Sequence, residues 1–439
     1  MAKVITFKKG LLSVLFWSII SAAFIGPGTV TTAASAGAGF KFALLWALVF
    51  STLATIVLQE AAARVTIASG KNLGEIIAIR YHEGNTAIRI RLFLFFALAF
   101  GCAAYQAGNI LGSISGLLLF MEIPRWILTI VVAGIAGMLL WIGNFRTIAS
   151  ILGGIVAVMG IAFIYSAWHT DLSQLTWRHL LFPSIPDGGL VLVLGLIGTT
   201  IVPYNLFLAS GISQGQSIAE MRWGISLAVL IGGIISIAIL LVGTQISGTF
   251  SFEALAAAMS NGSGSKAAGI LFGVGLFAAG LSSSITSPLA AAVTAQSLFS
   301  GRSTREWGSK SRNFRLVWGI ILGIGLIFGL LDFRPIPVII LAQALNGLLL
   351  PIIAVFLILT VNDPRLLPVS YRNTSLSNLL MLSIVGITCY LGFNNLWKAL
   401  GNIVNLSAFN TTQSTILLMS LDAIILLAVA RSIFLKNKA

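Results

Sequence analysis

The sequence has few charged residues, few cysteines and few histidines. Only 9% of its 439 residues are charged and 57% are hydrophobic, whereas soluble globular proteins carry about 25% charged residues. A soluble enzyme is excluded, because the chain could not cover itself with a polar surface. The two cysteines, Cys102 and Cys389, lie inside apolar stretches and match neither a disulfide framework nor a zinc pattern. All three histidines lie in loops, which excludes a haem or metal centre built from intramembrane histidines.

The sequence also lacks the features of several membrane-protein classes. Histidines, cysteines and paired carboxylates do not converge within the apolar runs, so an enzyme is disfavoured and no catalytic residue is assigned. No pore loop is repeated, which disfavours a channel. No phosphate-binding loop occurs, so the chain does not itself use ATP, and no ATPase partner is required. The net charge of +14 would suggest nucleic acid in a soluble protein, but here the cations lie between apolar runs, and no nucleic-acid partner is expected.

The sequence does contain a series of long apolar runs. Each is long enough for a membrane helix of about 20 residues, and the runs are too continuous for barrel strands. All are expected to be α-helices, because lipid cannot satisfy backbone polar groups. The sequence predicts twelve spans, at about residues 11–40, 42–69, 88–120, 125–143, 147–168, 188–215, 219–248, 266–299, 314–331, 335–361, 375–397 and 412–435.

The distribution of basic residues supports this number of spans. With the N-terminus inside, the cytoplasmic segments hold 20 Lys and Arg residues and the outer segments hold 6. This bias follows the positive-inside rule, and one missed span would destroy the alternation. The sequence therefore predicts an integral protein of the lipid bilayer, in the plasma (inner) membrane, with both termini in the cytoplasm.

Two spans contain a helix break deep inside the apolar run. The first contains Gly26-Pro27-Gly28-Thr29 and the sixth contains Val202-Pro203-Tyr204-Asn205. Pro removes a backbone donor and Gly permits unusual dihedrals, so each motif interrupts its helix. Broken helices at matching positions of two halves indicate an inverted-repeat transporter, although two unrelated proline kinks are the alternative. The repeats are predicted at 1–168 (spans 1–5) and 188–361 (spans 6–10), with spans 11 and 12 added at 375–439 in one membrane unit.

At these breaks the sequence resembles the NRAMP family of divalent-metal transporters, which has the LeuT-type fold. The family carries Asp-Pro-Gly-Asn in its first span, matching 26–29 here, and Met-Pro-His-Asn-Leu in its sixth, matching 202–206 here. The loop 69–75 and the segment 278–286 of span 8 are also similar to the family. The resemblance covers spans 1–10. It implies an inverted repeat of five plus five helices with helices 1 and 6 broken, followed by two extra C-terminal helices.

The residues that bind metal in the family are replaced in this chain. The resemblance places ligands at the Asp and Asn of the first span and the Met of the sixth, where this sequence has Gly26, Thr29 and Val202. The family's proton-linked histidines become Tyr204 and Ala209. Transition metals prefer carboxylate, imidazole or sulfur ligands, and magnesium normally prefers a nearby carboxylate. No metal site is therefore assigned.

Without a carboxylate, the breaks are predicted to favour an anion. A broken helix exposes the N–H groups and the positive dipole end of its second half. Hydroxyl and amide donors beside them suit a small oxyanion such as bicarbonate, although capping of the half-helix is the alternative role for each threonine. The candidate substrate-binding residues are Gly26, Pro27, Gly28, Thr29, Thr31, Thr32, Val202, Tyr204 and Asn205.

The opposite helix ends expose carbonyl groups, which suit a cation. Sodium-coupled proteins of the LeuT type bind Na⁺ between carbonyls of the first-span break and hydroxyls of span 8. Ordinary packing of serines between membrane helices is the alternative. Na⁺ is thus a candidate coupling ion, and no other cofactor is expected. The candidate ligands here are Ala23, Gly26, Ser283, Ser284, Thr286 and Ser287.

Few other polar residues lie within the spans. Glu60 precedes Arg64 by one helical turn, which predicts a structural ion pair. Asp422 in span 12 is predicted to make a packing contact. Gln106, Asn109 and Asn346 are predicted to bridge helices, and lining of the transport path is the alternative.

These observations favour a secondary active transporter that moves a small inorganic ion by alternating access. The favoured substrate is a small oxyanion such as bicarbonate, in symport with Na⁺. The alternative is an NRAMP-like transporter of divalent Mn, Fe or Mg, in which backbone carbonyls and water replace the lost ligands.

Overall fold

The computed structural model describes residues 25–81, 84–143, 146–212, 217–299, 306–331, 333–404 and 411–436. Within these ranges the chain forms α-helices and one 3₁₀ turn (Val369–Tyr371), and it contains no β-strand. The helices are α1 (Pro27–Phe40), α2 (Leu45–Ser69), α3 (Leu73–Arg80), α4 (Gly84–Leu118), α5 (Arg125–Ile142), α6 (Arg146–Trp168), α7 (Arg178–Leu181), α8 (Leu190–Thr200), α9 (Pro203–Ile212), α10 (Ile218–Gly243), α11 (Phe252–Ser263), α12 (Lys266–Phe299), α13 (Arg312–Leu330), α14 (Pro335–Val361), α15 (Ser375–Val404) and α16 (Thr411–Lys436).

The long helices agree with the predicted spans. In the described part of the chain, 11 helical segments are long and apolar enough to cross a membrane. One of them combines α8 and α9, the two halves of the sixth span. Helix α1 has only 14 residues, because it is the second half of the predicted first span; the first half lies outside the described residues. The prediction of an all-α membrane protein is confirmed.

Three short helices lie in segments that the sequence analysis treated as loops. These are α3, α7 and α11. A capping box begins α3, in which Asn72 and Glu75 each accept a hydrogen bond from the other's backbone N–H. The hydroxyl of Ser251 accepts a hydrogen bond from the Ala254 N–H and begins α11. Both capping residues can be recognised in the sequence. The prediction of spans from long apolar runs nevertheless overlooks helices of 8 and 12 residues such as α3 and α11.

Small residues allow α1 to pack closely against α10 and α4. A Cβ atom on Gly243 of α10 would lie 2.5 Å from the carbonyl oxygen of Ala34 in α1. A Cβ atom on Gly112 of α4 would overlap the ring of Pro27. Backbones approach this closely in membranes where the interface residues are small. As a result, α1 is buried along its length from Pro27 to Gly37.

The close contact between α1 and α10 leads to a prediction about the stability of the protein. Gly243→Ala should destabilise the protein by about 1–3 kcal/mol, because overpacking forces the backbones apart. Gly319→Ala in α13 is the matched control, since a Cβ atom there meets no atom of the described residues within 4 Å. The thermal unfolding midpoint in detergent should fall for Gly243→Ala and not for Gly319→Ala. Equal midpoints for the two variants would contradict the close contact.

Glu60 lies in an ion-pair network in the second half of α2. The Nε atom of Arg64 lies 3.1 Å from each carboxylate oxygen of Glu60, and the guanidinium of Arg222 in α10 lies 2.9 Å from the same carboxylate. Arg64 also donates to the carbonyl of Tyr371 and to the side chain of Asn373, each at 2.7 Å. The network joins α2, α10 and the segment after α14, so the predicted ion pair is present.

Two of the three amide side chains predicted to bridge helices form hydrogen bonds between them. Gln106 of α4 donates to the carbonyl of Ser284 in α12 at 3.3 Å, and Asn346 of α14 donates to the carbonyl of Gly101 in α4 at 3.2 Å. These two amides bridge helices, as predicted. The amide nitrogen of Asn109 is buried without a hydrogen-bond partner among the described residues, so its bridging role stays a prediction.

Candidate substrate site between the two broken spans

Proline sets the first residue of the second half of each broken span. Helix α1 begins at Pro27, after Gly26 in an extended conformation (φ −98°, ψ 177°). Helix α9 begins at Pro203, two residues after Ile201, the residue that caps the C-terminus of α8. Proline suits a first helical position, because its ring fixes φ and no N–H is lost there. The interruption predicted for the sixth span is therefore present, and the second half of the first span starts where the sequence predicts.

Helix α1 leaves backbone donors at its buried start. Its first helical hydrogen bond runs from the N–H of Val30 to the carbonyl of Gly26, at 3.2 Å. The N–H groups of Gly28 and Thr29 therefore lie outside the helical ladder. They carry the positive end of the helix dipole.

A hydrogen bond joins the two broken spans. The hydroxyl oxygens of Thr29 in α1 and Thr199 in α8 are 2.9 Å apart and buried. Thr199 is the penultimate residue of α8, whose last carbonyls form a negative helix end. The two threonines thus bring a positive helix start and a negative helix end together at one site.

Neighbouring helices hold the end of α8 in place. The hydroxyl of Thr55 in α2 donates to the carbonyl of Thr200 at 3.3 Å. The hydroxyl of Tyr105 in α4 donates to the carbonyl of Gly198 at 2.5 Å. The ring of Tyr105 also packs edge-on against Tyr204, with centroids 5.5 Å apart. These contacts fix the break of the sixth span between α2 and α4.

The predicted substrate-binding residues of the sixth span are buried at the break. Val202, Tyr204 and Asn205 are 5%, 6% and 7% exposed. The backbone N–H of Asn205 donates to the carbonyl of Val202 at 3.0 Å, so neither of these two backbone groups is free. Val202 offers an apolar side chain to the site. Its side chain cannot ligate an ion.

The threonines that follow Thr29 lie deeper in the helix packing. Thr31 and Thr32 are fully buried, and their hydroxyls have no hydrogen-bond partner among the described residues. The methyl group of Thr32 lies 2.9 Å from where a Cβ atom on Gly195 of α8 would be. Thr32 therefore packs against α8. Its predicted role as a ligand stays a prediction.

Gln343 of α14 is a polar residue at the break that the sequence analysis missed. A Cβ atom on Gly28 would overlap its side-chain amide, so the amide lies directly against the start of α1. The Gln343 side chain is 1% exposed, and its Oε1 atom has no hydrogen-bond partner in the described part of the chain. The sequence did contain a signal for this residue, because Gln343 is the single glutamine in the apolar run 335–361.

The span 8 candidates for Na⁺ do not all reach the break. The Oγ atom of Ser283 lies 3.2 Å from where a Cβ atom on Gly26 would be, which places Ser283 at the break. The hydroxyl of Ser287 donates to the carbonyl of Cys102 in α4 at 2.8 Å, and that of Thr286 donates within its own helix. The Ser284 hydroxyl is buried without a partner among the described residues, and Ala23 lies outside them.

The site offers neutral oxygen atoms and N–H groups. In the described ranges, no group of three or more His, Cys, Asp or Glu residues could hold a metal ion. The groups around the break are the hydroxyls of Thr29, Thr199 and Ser283, the amide of Gln343, and the helix ends. The arrangement can bind a small ion through oxygen atoms and retained water.

Comparison with known proteins identifies relatives along most of the chain. A family model described as "Natural resistance-associated macrophage protein-like" (Nramp) matches residues 18–398. The divalent metal cation transporter MntH of Ralstonia nicotianae is 28% identical over 304 residues, which are 62% of this chain and 66% of that transporter, just under two thirds of its length. MntH of Bacillus subtilis is 29% identical over 314 residues, which are 67% of this chain and 73% of that transporter.

Solved structures show the same fold. The manganese transporter of Eremococcus coleocola, in complex with an aromatic bis-isothiourea compound, superposes with a TM-score of 0.70 at 20% identity, covering 100% of this chain and 96% of that one. The nucleobase-cation-symport-1 family transporter MHP1 superposes with a TM-score of 0.55 at 16% identity, covering 96% and 93%. The LeuT-type fold expected from the resemblance is thus confirmed. With a family model matched over residues 18–398 and this fold, the chain belongs to the Nramp family of membrane transporters.

Proposed function

We propose that the chain is a secondary active transporter that moves a divalent metal ion by alternating access through the site between the breaks. Membership of the Nramp family supports transport, and the MntH relatives named above are divalent metal cation transporters. This proposal adopts the alternative of the sequence analysis. Bicarbonate, its favoured substrate, has no support among the relatives.

The observation that carries the proposal is the free amide oxygen of Gln343 beside Gly28. A buried acceptor without a partner is unfavourable unless a ligand satisfies it. Oxygen donors suit hard divalent ions such as Mg²⁺ and Mn²⁺, and Mg²⁺ usually retains several waters. The negative end of α8, at Thr199 and Thr200, adds partial charge where a carboxylate is missing. Because the site has no full negative charge, we expect millimolar affinity for the metal.

A small oxyanion is the second candidate substrate. The positive end of α1 and the N–H group of Gly28, which lies outside the helical ladder, favour it, since they resemble the anion sites found at helix N-termini. This candidate and the metal place opposite charges beside Gln343. A substitution that adds negative charge at Gln343 therefore separates the two.

Uptake into proteoliposomes tests the choice of substrate. Purified protein should take up Mn²⁺ or Mg²⁺, and Gln343→Glu should increase metal uptake at low concentration while Gln343→Leu decreases it by about tenfold, because the Leu variant loses an oxygen ligand. If bicarbonate is the substrate, Gln343→Glu should instead abolish its uptake through like-charge repulsion. Bicarbonate uptake by the wild type without metal uptake would reject the metal proposal.

Coupling to Na⁺ and the orientation in the membrane are further parts of this proposal. The position of Ser283 beside Gly26 supports a sodium site there, with Gly26 carbonyl and Ser283 hydroxyl as ligands. Ser283→Ala should raise the Na⁺ concentration for half-maximal uptake by about fivefold, since one ligand is lost. Equal uptake in Na⁺ and choline, at fixed pH on both sides, would show that no sodium ion is coupled to transport at this site.

The excess of basic residues in alternate segments supports two cytoplasmic termini in the inner membrane.

A further inference from the structure

A groove of about 550 Å³ lies between α2, α7 with the segment that follows it, and the two C-terminal helices α15 and α16. This volume is within the range of small-molecule sites in proteins. None of the residues at the two breaks lines the groove, so it is separate from the candidate substrate site. Most of its lining side chains are aliphatic or aromatic. One is acidic, Asp422, and none is basic.

Asp422 places a carboxyl group in this groove near the middle of α16, a helix that is apolar enough to cross the membrane. A Cβ atom on Gly386 of α15 would lie 3.5 Å from the Oδ2 atom of Asp422, so the carboxyl group lies against α15. Its Oδ1 atom is buried and has no hydrogen-bond partner among the described residues. An ionised carboxylate at this depth is strongly disfavoured unless a cation is paired with it.

The other polar groups of the groove cannot neutralise this carboxylate. The indole N–H of Trp46 in α2 donates to the carbonyl of Ser184 at 2.8 Å, so it is already used. The same hydrogen bond joins α2 to the segment after α7, which forms one wall of the groove. Tyr390 of α15 adds a neutral phenol. An occupant that suits these walls is apolar over most of its surface and carries one positive charge.

We propose that the groove binds a hydrophobic organic cation whose protonated amine is paired with Asp422. The ammonium group would donate charge-assisted hydrogen bonds to the carboxylate, and the apolar body would cover the walls on α2 and α15. A lipid chain or a neutral ligand covers the same walls but leaves the carboxylate without a counterion. The proposal concerns binding alone and does not depend on which substrate is transported.

Titration calorimetry with a pair of matched probes tests this proposal on the purified protein in detergent at pH 7. The probes are 1-adamantanemethylamine, which is a cation, and 1-adamantanemethanol, which has the same hydrocarbon cage and no charge. The amine should bind at least about tenfold more tightly than the alcohol, because only the amine forms a charge-assisted pair. Asp422→Asn should abolish this difference, since it keeps the shape of the side chain and removes its charge.

A second variant tests the position of the amine without changing any charge. Val49→Trp fills the groove from α2 and should weaken the binding of both probes by about tenfold or more. Val158→Trp in α6 is the matched control, since Val158 is 50% exposed and lines no part of the groove. It should leave the binding of both probes unchanged.

Three results would overturn the proposal. Equal binding of the amine and the alcohol to the wild type would show that Asp422 is a neutral acid in an apolar groove. Amine binding that survives either Asp422→Asn or Val49→Trp unchanged would place the amine elsewhere on the protein. Absence of amine binding to the wild type would show that the groove does not accept an organic cation.

Discussion

Replacing Gly26 with aspartate and Thr29 with asparagine is expected to tighten manganese binding by at least about a hundredfold. Two unit charges 4 Å apart attract by about 4 kcal/mol at an effective dielectric constant of 20, and Mn²⁺ carries two charges. Desolvation of the new carboxylate reduces this gain. Among the described residues, a Cβ atom on Gly26 would meet only Ser283 Oγ, at 3.2 Å, so the serine side chain must shift by a few tenths of an ångström. Titration calorimetry with MnCl₂ measures the change.

The matched control for this pair removes the charge and keeps the shape. Gly26→Asn with Thr29→Asn has nearly the same shape, but an NH₂ group replaces one carboxylate oxygen at position 26, and the amide is neutral. It should bind Mn²⁺ only slightly better than the wild type. If the control bound Mn²⁺ as tightly as the aspartate pair, ligand geometry and not the missing charge would set the affinity, and the electrostatic account of the break would be wrong.

Removing the carboxylate of Asp363 is expected to destabilise the protein by about 3–5 kcal/mol, the usual loss when a buried ion pair is broken on one side. The Asp363 side chain is fully buried and lies 3.6 Å from the guanidinium of Arg80, which is itself only 5% exposed. Arg80 also donates to the carbonyl of Leu359. Asp363→Ala therefore leaves a buried positive charge without its counterion at the junction of α3 and α14.

Arg365 provides the control for this prediction. It pairs with the same carboxylate at 3.2 Å, which raises the pKa of its guanidinium, but its side chain is 71% exposed. Exposed ion pairs contribute about 0–1 kcal/mol, so Arg365→Ala should leave the thermal unfolding midpoint nearly unchanged. The midpoint of Asp363→Ala should fall clearly in the same detergent. Equal midpoints for the two variants would show that Arg80 finds another partner.

The sequence predicts the architecture well because membrane physics leaves few choices. Apolar runs of the required length must be helices, and the motifs at Pro27 and Pro203 interrupt two of them. Pro27 and Pro203 begin α1 and α9 as predicted. The ion pair of Glu60 with Arg64 was also predictable, because both residues lie one turn apart on one helix.

Contacts between distant segments were not predictable from a single sequence. Gln343 is 315 positions away from Gly28, and only the packing of α14 against α1 brings the two together. Thr199 was omitted because nothing in a run of apolar residues shows which face meets Thr29. The burial of Asp363 likewise depends on α3, a helix of 8 residues that the apolar pattern does not reveal.

The class of substrate could not be predicted from the residues of the two breaks alone. The loss of the family's ligands at Gly26, Thr29 and Val202 favoured an anion, because neither break contains a carboxylate. The structure adds a third contributor, the amide oxygen of Gln343, and a negative helix end beside Thr199. Together with the relatives, these groups favour a hydrated divalent ion.

Anomalous X-ray diffraction tests most directly whether an ion binds between the two breaks through neutral oxygen atoms. Crystals soaked in MnCl₂ at tens of millimolar should show an anomalous peak at the manganese edge within ligand distance of Gln343 Oε1 and beside the Thr29 hydroxyl. Crystals of Gln343→Leu should lose the peak. A wild-type map without a peak at the break, in crystals that show ordered manganese elsewhere on the protein, would contradict the account.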